Sequence, residues 1–348
     1  MSKTEVSHKA TQFTRYCIDD DGDLLLRVGS ELAKETPFEF KVCSAAMRRA
    51  SPVWKSMLFG PWNEAKPAQG DWIVYLPEDE PWPIRVILAI AHGAFEQVPK
   101  SISLSKLDCI LIPIEKYDLI HIIRPWADTW VETVKNPKSN RISELTGSEH
   151  VMRINAAWEL GCEDVVSAEI TEFVFNLSVT SRKETYRYYY NHQQIEFDTH
   201  FGPCDLVEIV TELRLSLIQA LLDFYHEVVK SRIPSESACL RSGWNLANER
   251  QLCDAVVLGG IWRYSKGSMP EILPEKATEY RESANELMRT LSNMFAGLPT
   301  LNVFHEGCSP AKKYSDFEEK TRQDERWKNV LRPHHKERMA TQRKKTGL

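Results

Sequence analysis

The sequence predicts an α+β protein. Residues 19–135 are predicted to form a small three-stranded sheet with a helical cluster, and residues 145–300 a mostly α-helical region. Two short apolar stretches, Leu24–Val28 and Phe38–Val42, have the length and flanking residues of strands that pair as a hairpin. Trp72–Leu76 supplies a third strand, and apolar residues at helical spacing dominate the second half. With 42% hydrophobic and 27% charged residues, the composition is typical of a globular protein.

The first elements of the chain are short. Residues 1–18 have weak periodicity and are predicted to be flexible, and Asp19–Asp23 is predicted to be a turn. A short helix is predicted over Ser44–Arg49. Ser51 and Pro52 are predicted to begin the next helix, because serine is a favoured N-cap residue and proline suits the first helical position.

Helical patterns then continue to the end of this region. Pro81 opens a helix whose apolar residues Ile84, Ile87, Leu88 and Ala91 fall at helical spacing. Leu104–Leu119 is the next helical pattern, and Pro113 within it either kinks the helix or marks a boundary. The polar stretch Asn136–Asn140 is the predicted boundary between two modules.

The second half is predicted to be almost entirely helical. Ser148 is predicted to cap one helix, and Asp205 with Glu208 forms the capping-box pattern in front of an amphipathic helix. Residues 178–203 are polar, aromatic and predicted to be irregular. Further helices are predicted over Asn248–Trp262 and Glu275–Phe295.

The charge distribution separates an acidic body from a basic tail. The chain has 44 Lys and Arg against 49 Asp and Glu, for a net charge of −5. Residues 309–348 nevertheless carry a net positive charge. An acidic body does not indicate a nucleic-acid-binding core. The tail is predicted to be solvated and partly helical, because acidic residues interrupt its basic ones; a nuclear-localisation or nucleic-acid-binding patch is the alternative.

Targeting signals are not evident in the sequence. No apolar run reaches the roughly 20 residues that a membrane helix needs. Residues 1–8 have no apolar core like that of a signal peptide. We therefore expect an intracellular protein, nuclear or cytoplasmic, whose eight cysteines are reduced thiols or metal ligands.

Sequence motifs for catalysis are missing. There is no Gly-rich nucleotide-binding loop, no nucleophile-elbow motif and no His-Glu-x-x-His helix. A Ser/His/Asp site has no fixed sequence spacing, so the sequence alone leaves that alternative open. The expectation is that the protein is not an enzyme.

One group of residues has the chemistry of a metal site. His305 and Cys308 have the His-x-x-Cys spacing that lets both bind one zinc ion, and Cys239 and Cys253 would complete a Cys₃His set. Thiolate and imidazole are ligands that zinc prefers. The alternative is that Cys253 is a small core residue on a helix and that the His-x-x-Cys spacing arose by chance.

Two segments resemble the BTB/POZ family. Gly22–Val28 resembles the first strand of that domain, and Phe40–Trp54 resembles its central signature. Cys43 and Ser44 replace the His and basic residue of most animal members, and this form is similar to BTB proteins of filamentous fungi. Asn155–Gly161 resembles a helix that follows the domain in those proteins. The resemblance covers about residues 20–130 and, more weakly, 145–176.

The resemblance implies a scaffold that binds other proteins and has no active site. It implies homo- or hetero-dimers through the domain, or docking of another protein. The absence of a long apolar run predicts no membrane partner, and the acidic body predicts no nucleic-acid partner. A cullin-3 ubiquitin-ligase adaptor, or a transcription or chromatin regulator that uses the basic tail, are the alternatives. The loop Lys100–Lys106 lacks the carboxylate common in cullin adaptors. The implied partner-binding positions are Asp23, Cys43, Ser44, Met47, Ser51 and Trp54.

Overall fold

The computed structural model describes residues 12–137, 145–182, 185–197, 202–233, 237–241, 247–268 and 273–348. Residues 1–11 and part of the predicted boundary at 136–140 therefore lie outside the described residues. The chain forms two compact units. The first comprises described residues within 1–145, 151–165 and 333–348, and the second those within 146–150 and 166–332.

The described residues form both strands and helices, connected in places by short 3₁₀ helices. The strands are β1 Thr14–Cys17, β2 Leu24–Val28, β3 Phe38–Val42, β4 Ile73–Leu76, β5 Ser178–Arg182, β6 Thr185–Tyr190 and β7 Gln193–Ile195. The helices are α1 Ser44–Ala50, α2 Pro52–Phe59, α3 Pro81–Ala91, α4 Leu104–Lys116, α5 Arg124–Lys135, α6 Gly147–Leu160, α7 Glu163–Asn176, α8 Leu206–Lys230, α9 Ala247–Ser268, α10 Ala284–Ala296, α11 Ala311–Arg322 and α12 Pro333–Thr346.

The sheet of the first unit has the strand order β1-β3-β2-β4 among the described residues. The hairpin of β2 and β3 is antiparallel, with Leu26 opposite Phe40, and β4 runs parallel to β2. Leu24, Leu26 and Val28 alternate into the core, which confirms the predicted hairpin. The sheet has a fourth strand, however. β1 pairs in parallel with β3 in a part of the chain that was predicted to be flexible.

Helices α1 and α2 follow the hairpin and meet at Ser51. The Ser51 hydroxyl accepts a hydrogen bond from the Trp54 amide (2.9 Å), which confirms the predicted N-cap. The same hydroxyl donates to the Tyr117 carbonyl (2.6 Å), so it joins α2 to the end of α4. Helix α4 continues through Pro113 to Lys116 rather than ending at the proline.

The C-terminal helix α12 is packed, which corrects the prediction of a solvated tail. Met339 is fully buried, and Arg338 and Gln342 donate to the Glu159 carboxylate at 2.7 and 3.0 Å. In the second unit, Tyr314 on α11 and Trp327 are also buried. The tail therefore contains core residues between its charges.

A second sheet corrects the prediction that residues 178–203 are irregular. Strands β5, β6 and β7 form an antiparallel meander in which Val179, Tyr190 and Ile195 are buried. The remainder of the second unit is largely helical, and the amphipathic helix α8 buries many of its apolar residues, among them Leu206, Ile209, Leu217 and Val228.

Helix α8 begins after Asp205, as predicted, but without the predicted capping bond, and two other predicted helix starts differ from the structure. Asp205 makes no side-chain capping bond, because its carboxylate pairs with Arg332 at 2.7 Å. Thr146, rather than Ser148, forms a reciprocal capping box with Glu149: the Thr146 amide donates to the Glu149 carboxylate (2.8 Å) and the Glu149 amide to the Thr146 hydroxyl (3.3 Å). Helix α10 begins after Ser283, well inside the segment predicted to be helical from residue 275.

In the described part of the chain, no helix combines the length and the apolar character of a membrane span.

Candidate interaction surface and metal centre

Asp23 and Ser44 form a polar contact between the turn before β2 and the first residue of α1. The Asp23 carboxylate accepts hydrogen bonds from the Ser44 amide and hydroxyl, both at 2.9 Å. Lys66 lies 3.4 Å from the same carboxylate. Burial alone would raise the pKa of Asp23, but the hydrogen bonds from Ser44 and Lys66 outweigh it and hold the pKa below its usual value.

The other implied partner-binding residues are mostly interior. Met47 and Trp54 are fully buried, Ser51 is 1% exposed and Ser44 4%. These four side chains therefore hold α1 and α2 in place instead of presenting an accessible surface. Asp23 remains exposed and Cys43 half-buried, with the Cys43 amide donating to His92 Nε2 at 2.9 Å.

We expect the Asp23→Asn variant to lower the free energy of unfolding by about 0.5–1 kcal/mol at neutral pH, because a charge-assisted contact with Ser44 is lost at a 40% exposed carboxylate. A lowered folded-state pKa stabilises the fold above the unfolded value of about 4, and this contribution is lost as pH falls below it. Denaturant titrations at pH 7 and pH 3 test this. The exposed Asp21→Asn is the control, and a difference from wild type that does not shrink at pH 3 contradicts it.

An exposed aromatic surface lies at the end of α2. We call Phe59 and Trp62, which are 45% and 59% exposed, the aromatic ledge. The Phe59 ring lies edge-on against buried Trp72 at 5.9 Å, and the Arg48 guanidinium stands over Phe59 at 5.1 Å. Lys66 lies over the Trp72 ring at 5.5 Å. The sequence gives only a weak sign of the ledge: two aromatic residues on either side of Gly60, where α2 ends.

The structure brings the four predicted metal-ligating residues together. Cys239 lies in the described segment 237–241, Cys253 on α9, and His305 and Cys308 on a 3₁₀ helix over Val303–Cys308. The three Sγ atoms and one imidazole nitrogen all lie within 4.8 Å of one another. All four residues are buried, His305 with 1% exposure.

Specific distances define the geometry of this Cys/His cluster. Cys239 Sγ lies 3.3 Å from His305 Nδ1 and 3.7 Å from Cys308 Sγ, and Cys308 Sγ lies 3.9 Å from His305 Nδ1. The Nδ1 atom therefore faces the sulfurs. His305 Nε2 is buried and has no hydrogen-bond partner among the described residues.

The cluster is unfavourable for free thiolates. Burial, together with the neighbouring Cys308 and Cys239, raises the pKa of Cys253 to about 12. Without a cation among them, negative charges at this spacing repel one another, so the thiol form of Cys253 persists at neutral pH. A bound cation reverses that balance.

A layer of hydrogen bonds holds the ligand-bearing segments. The Ser237 hydroxyl accepts from the Cys239 amide at 3.1 Å and donates to the buried carboxylate of Asp254 on α9. Arg250 donates to the Ser237 carbonyl (3.2 Å), and Arg232 at the end of α8 donates to the Cys308 carbonyl (3.0 Å). These supporting residues could not be predicted from the sequence, because serine, arginine and aspartate at such separations form no recognisable motif.

Basic side chains of the tail are engaged in ion pairs. Within the second unit, Arg322 pairs with Glu318 at 2.9 Å and Arg332 with Asp205 at 2.7 Å. Pairing of these charges with carboxylates reduces the positive potential that a nucleic-acid patch requires. The alternative of a nucleic-acid-binding tail gains no support from this arrangement.

Comparisons of the chain with protein-family models, with curated proteins and with solved structures gave no match.

Proposed function

We propose that this chain is a protein-interaction module of the BTB type, which self-associates through the aromatic ledge of Phe59 and Trp62. The order of elements supports the proposal: a hairpin, a tight helical pair capped at Ser51, a third strand parallel to β2, and further helices. The observation that supports it most is the ledge itself, which exposes two large aromatic side chains.

The chemistry of the ledge suits a protein partner. Tryptophan and arginine are over-represented among residues that dominate binding energy, because they bury much apolar area and also form polar contacts. Here Arg48 stacks over Phe59, and Asp23 with Lys66 adds one charge of each sign nearby. An apolar centre with both charge signs in reach can complement a second copy of itself about a two-fold axis.

We expect the double variant Phe59→Ala/Trp62→Ala to weaken self-association of the full chain by about 10- to 100-fold, as removal of central aromatic anchors does elsewhere. Analytical ultracentrifugation over a concentration series measures this. Phe95→Ala is the matched control, because Phe95 is 58% exposed but pairs with Trp126 on α5 at 5.6 Å. A wild-type chain that stays monomeric at high concentration, or a control as defective as the double variant, contradicts the proposal.

The adaptor role is a narrower form of the same proposal. A pull-down of cullin-3 by the full chain tests it directly. Capture of cullin-3 would assign the chain to ubiquitin-ligase adaptors, and its absence would leave self-association as the function of the ledge.

A further inference from the structure

We propose that Cys239, Cys253, His305 and Cys308 bind one Zn²⁺ ion as a closed structural site of the second unit. This inference is independent of the interaction proposal, because the ledge belongs to the first unit. It rests on the residue types, the distances, the burial and the chain segments that meet at the Cys/His cluster.

The distances match those of a tetrahedral zinc site. With Zn–S bonds of about 2.3 Å and a Zn–N bond of about 2.0 Å, tetrahedral angles place sulfurs about 3.8 Å apart and sulfur about 3.5 Å from nitrogen. In the structure the Cys239 and Cys308 sulfurs lie 3.7 Å apart, and they lie 3.3 and 3.9 Å from His305 Nδ1. The Cys253 sulfur lies within 4.8 Å of all three atoms. A single ion therefore fits between these atoms with only small shifts of the side chains.

The ligand set favours zinc and a structural role. Three thiolates and one imidazole are soft and borderline donors, which select zinc over the magnesium and calcium that prefer oxygen. All four positions of the tetrahedron are filled by protein, and all four residues are buried, so no position is left for water or substrate.

A purely apolar role explains the cluster less well. The hydrophobic cluster formed by Cys239, Cys253 and Cys308 has Leu301 as its partly buried neighbour among the described residues. Three cysteines and a histidine whose Nδ1 points at their sulfurs bury little hydrocarbon. Packing alone therefore gives little reason for the four side chains to converge from distant positions in the sequence.

Zinc would cross-link three segments of the second unit that lie apart in the sequence. The ion would join segment 237–241, helix α9 and the 3₁₀ helix Val303–Cys308. Binding forms three Zn–S bonds and one Zn–N bond, through Nδ1 of His305, and releases three thiol protons. Ser237, Asp254 and Arg232 hold the backbone of these segments in position for the ligands.

The test is metal analysis of the full chain, purified under reducing conditions without chelator. We expect about one zinc ion per chain by inductively coupled plasma mass spectrometry. Cys308→Ser and Cys253→Ser should lower zinc affinity by at least about 100-fold in a buffered zinc titration, because a tetrahedral ligand is lost. Cys204→Ser, an exposed cysteine of the same unit, and Cys162→Ser, a buried one outside the cluster, should keep the metal.

A second measurement covers the case in which a ligand variant does not fold. In the wild-type chain, exchange of zinc for Co²⁺ should give thiolate-to-metal charge-transfer bands and the intense visible bands of a tetrahedral site. Removal of the metal by a chelator should lower the melting temperature of the second unit by on the order of 10 °C, and added zinc should restore it. A chain that neither contains zinc nor takes it up, or a Cys308→Ser variant with wild-type zinc content, overturns the proposal.

Discussion

Replacing Arg214 by methionine is expected to lower the melting temperature of the second unit by on the order of 10 °C. Arg214 on α8 is 4% exposed. Its Nε donates to the Leu177 carbonyl at 2.9 Å and its Nη2 to the Glu282 carbonyl at 2.6 Å, with longer contacts to the Tyr280 and Arg281 carbonyls. Burial lowers the pKa of Arg214 to about 10, so the side chain remains protonated at neutral pH and keeps all its donors.

The size of this effect follows from the carbonyls that would lose their donor. Each buried acceptor left without a partner costs about 1–3 kcal/mol, and bonds from a charged donor are the stronger ones. Two such losses amount to about 2–6 kcal/mol. The melting temperature of Arg214→Lys should lie between those of wild type and Arg214→Met. The lysine ammonium keeps the charge but lacks the planar guanidinium that donates to several carbonyls at once.

Calorimetry of the full chain measures the shift, and hydrogen exchange at residues 177–180 and 280–282 locates it. The control is Arg281→Met, since Arg281 is exposed. A melting temperature of Arg214→Met within about 2 °C of wild type would mean that water replaces the guanidinium without loss.

Replacing Trp54 by alanine is expected to lower the free energy of unfolding of the first unit by about 3–5 kcal/mol, the usual cost of removing a fully buried aromatic side chain. Trp54 has no exposed surface and lies 5.3 Å from the Tyr117 ring. Tyr117 ends α4, so the cavity opens where α2 packs against the end of α4.

Trp54→Phe should cost much less, below about 1.5 kcal/mol. The indole Nε1 of Trp54 is buried with no hydrogen-bond partner among the described residues, so phenylalanine removes an unpaired polar atom while keeping most of the ring. Denaturant unfolding followed by circular dichroism compares the two variants. Equal losses for alanine and phenylalanine would show that the indole makes a contact which the ring packing does not explain.

The strands of the predicted hairpin are ones in which buried residues alternate with less buried ones. Leu24, Leu26 and Val28 give that signal clearly, and the hairpin has the predicted bounds. Strand β1 has no such signal, because it is a sheet edge whose side chains are largely exposed and whose pairing comes from backbone bonds to β3. The β5–β7 meander was missed for a related reason: its tyrosines obscure the difference between buried and exposed positions.

The capping bond predicted for α8 was wrong because a distant residue binds the capping carboxylates, although the helix begins after Asp205 as predicted. Asp205 and Glu208 fit the capping box locally, but Arg332, more than a hundred residues away in sequence, binds both carboxylates at 2.7 and 3.4 Å. A single sequence shows no sign of that pairing. The same limit applies to the tail, where buried Trp327 and Met339 stand among charges that suggested solvent exposure.

The four members of the Cys/His cluster could be predicted from residue type and spacing alone. One close pair, His305 and Cys308, together with the ligand preference of zinc, identified all four members. The supporting roles of Ser237 and Asp254 could be recognised only in the structure, because those residues act through hydrogen bonds to the backbone and to each other. Conversely, the resemblance singled out Met47 and Trp54 as partner-binding residues, and the structure places both in the interior.

The most direct measurement for the central claim is the mass of the full 40.1 kDa chain in solution by light scattering at rising concentration. We predict that the wild type and Phe95→Ala approach twice the monomer mass, whereas Phe59→Ala/Trp62→Ala stays near the monomer mass at the same concentrations. A wild-type chain that stays monomeric throughout, or a double variant that dimerises as well as wild type, would contradict an interaction module that works through the aromatic ledge.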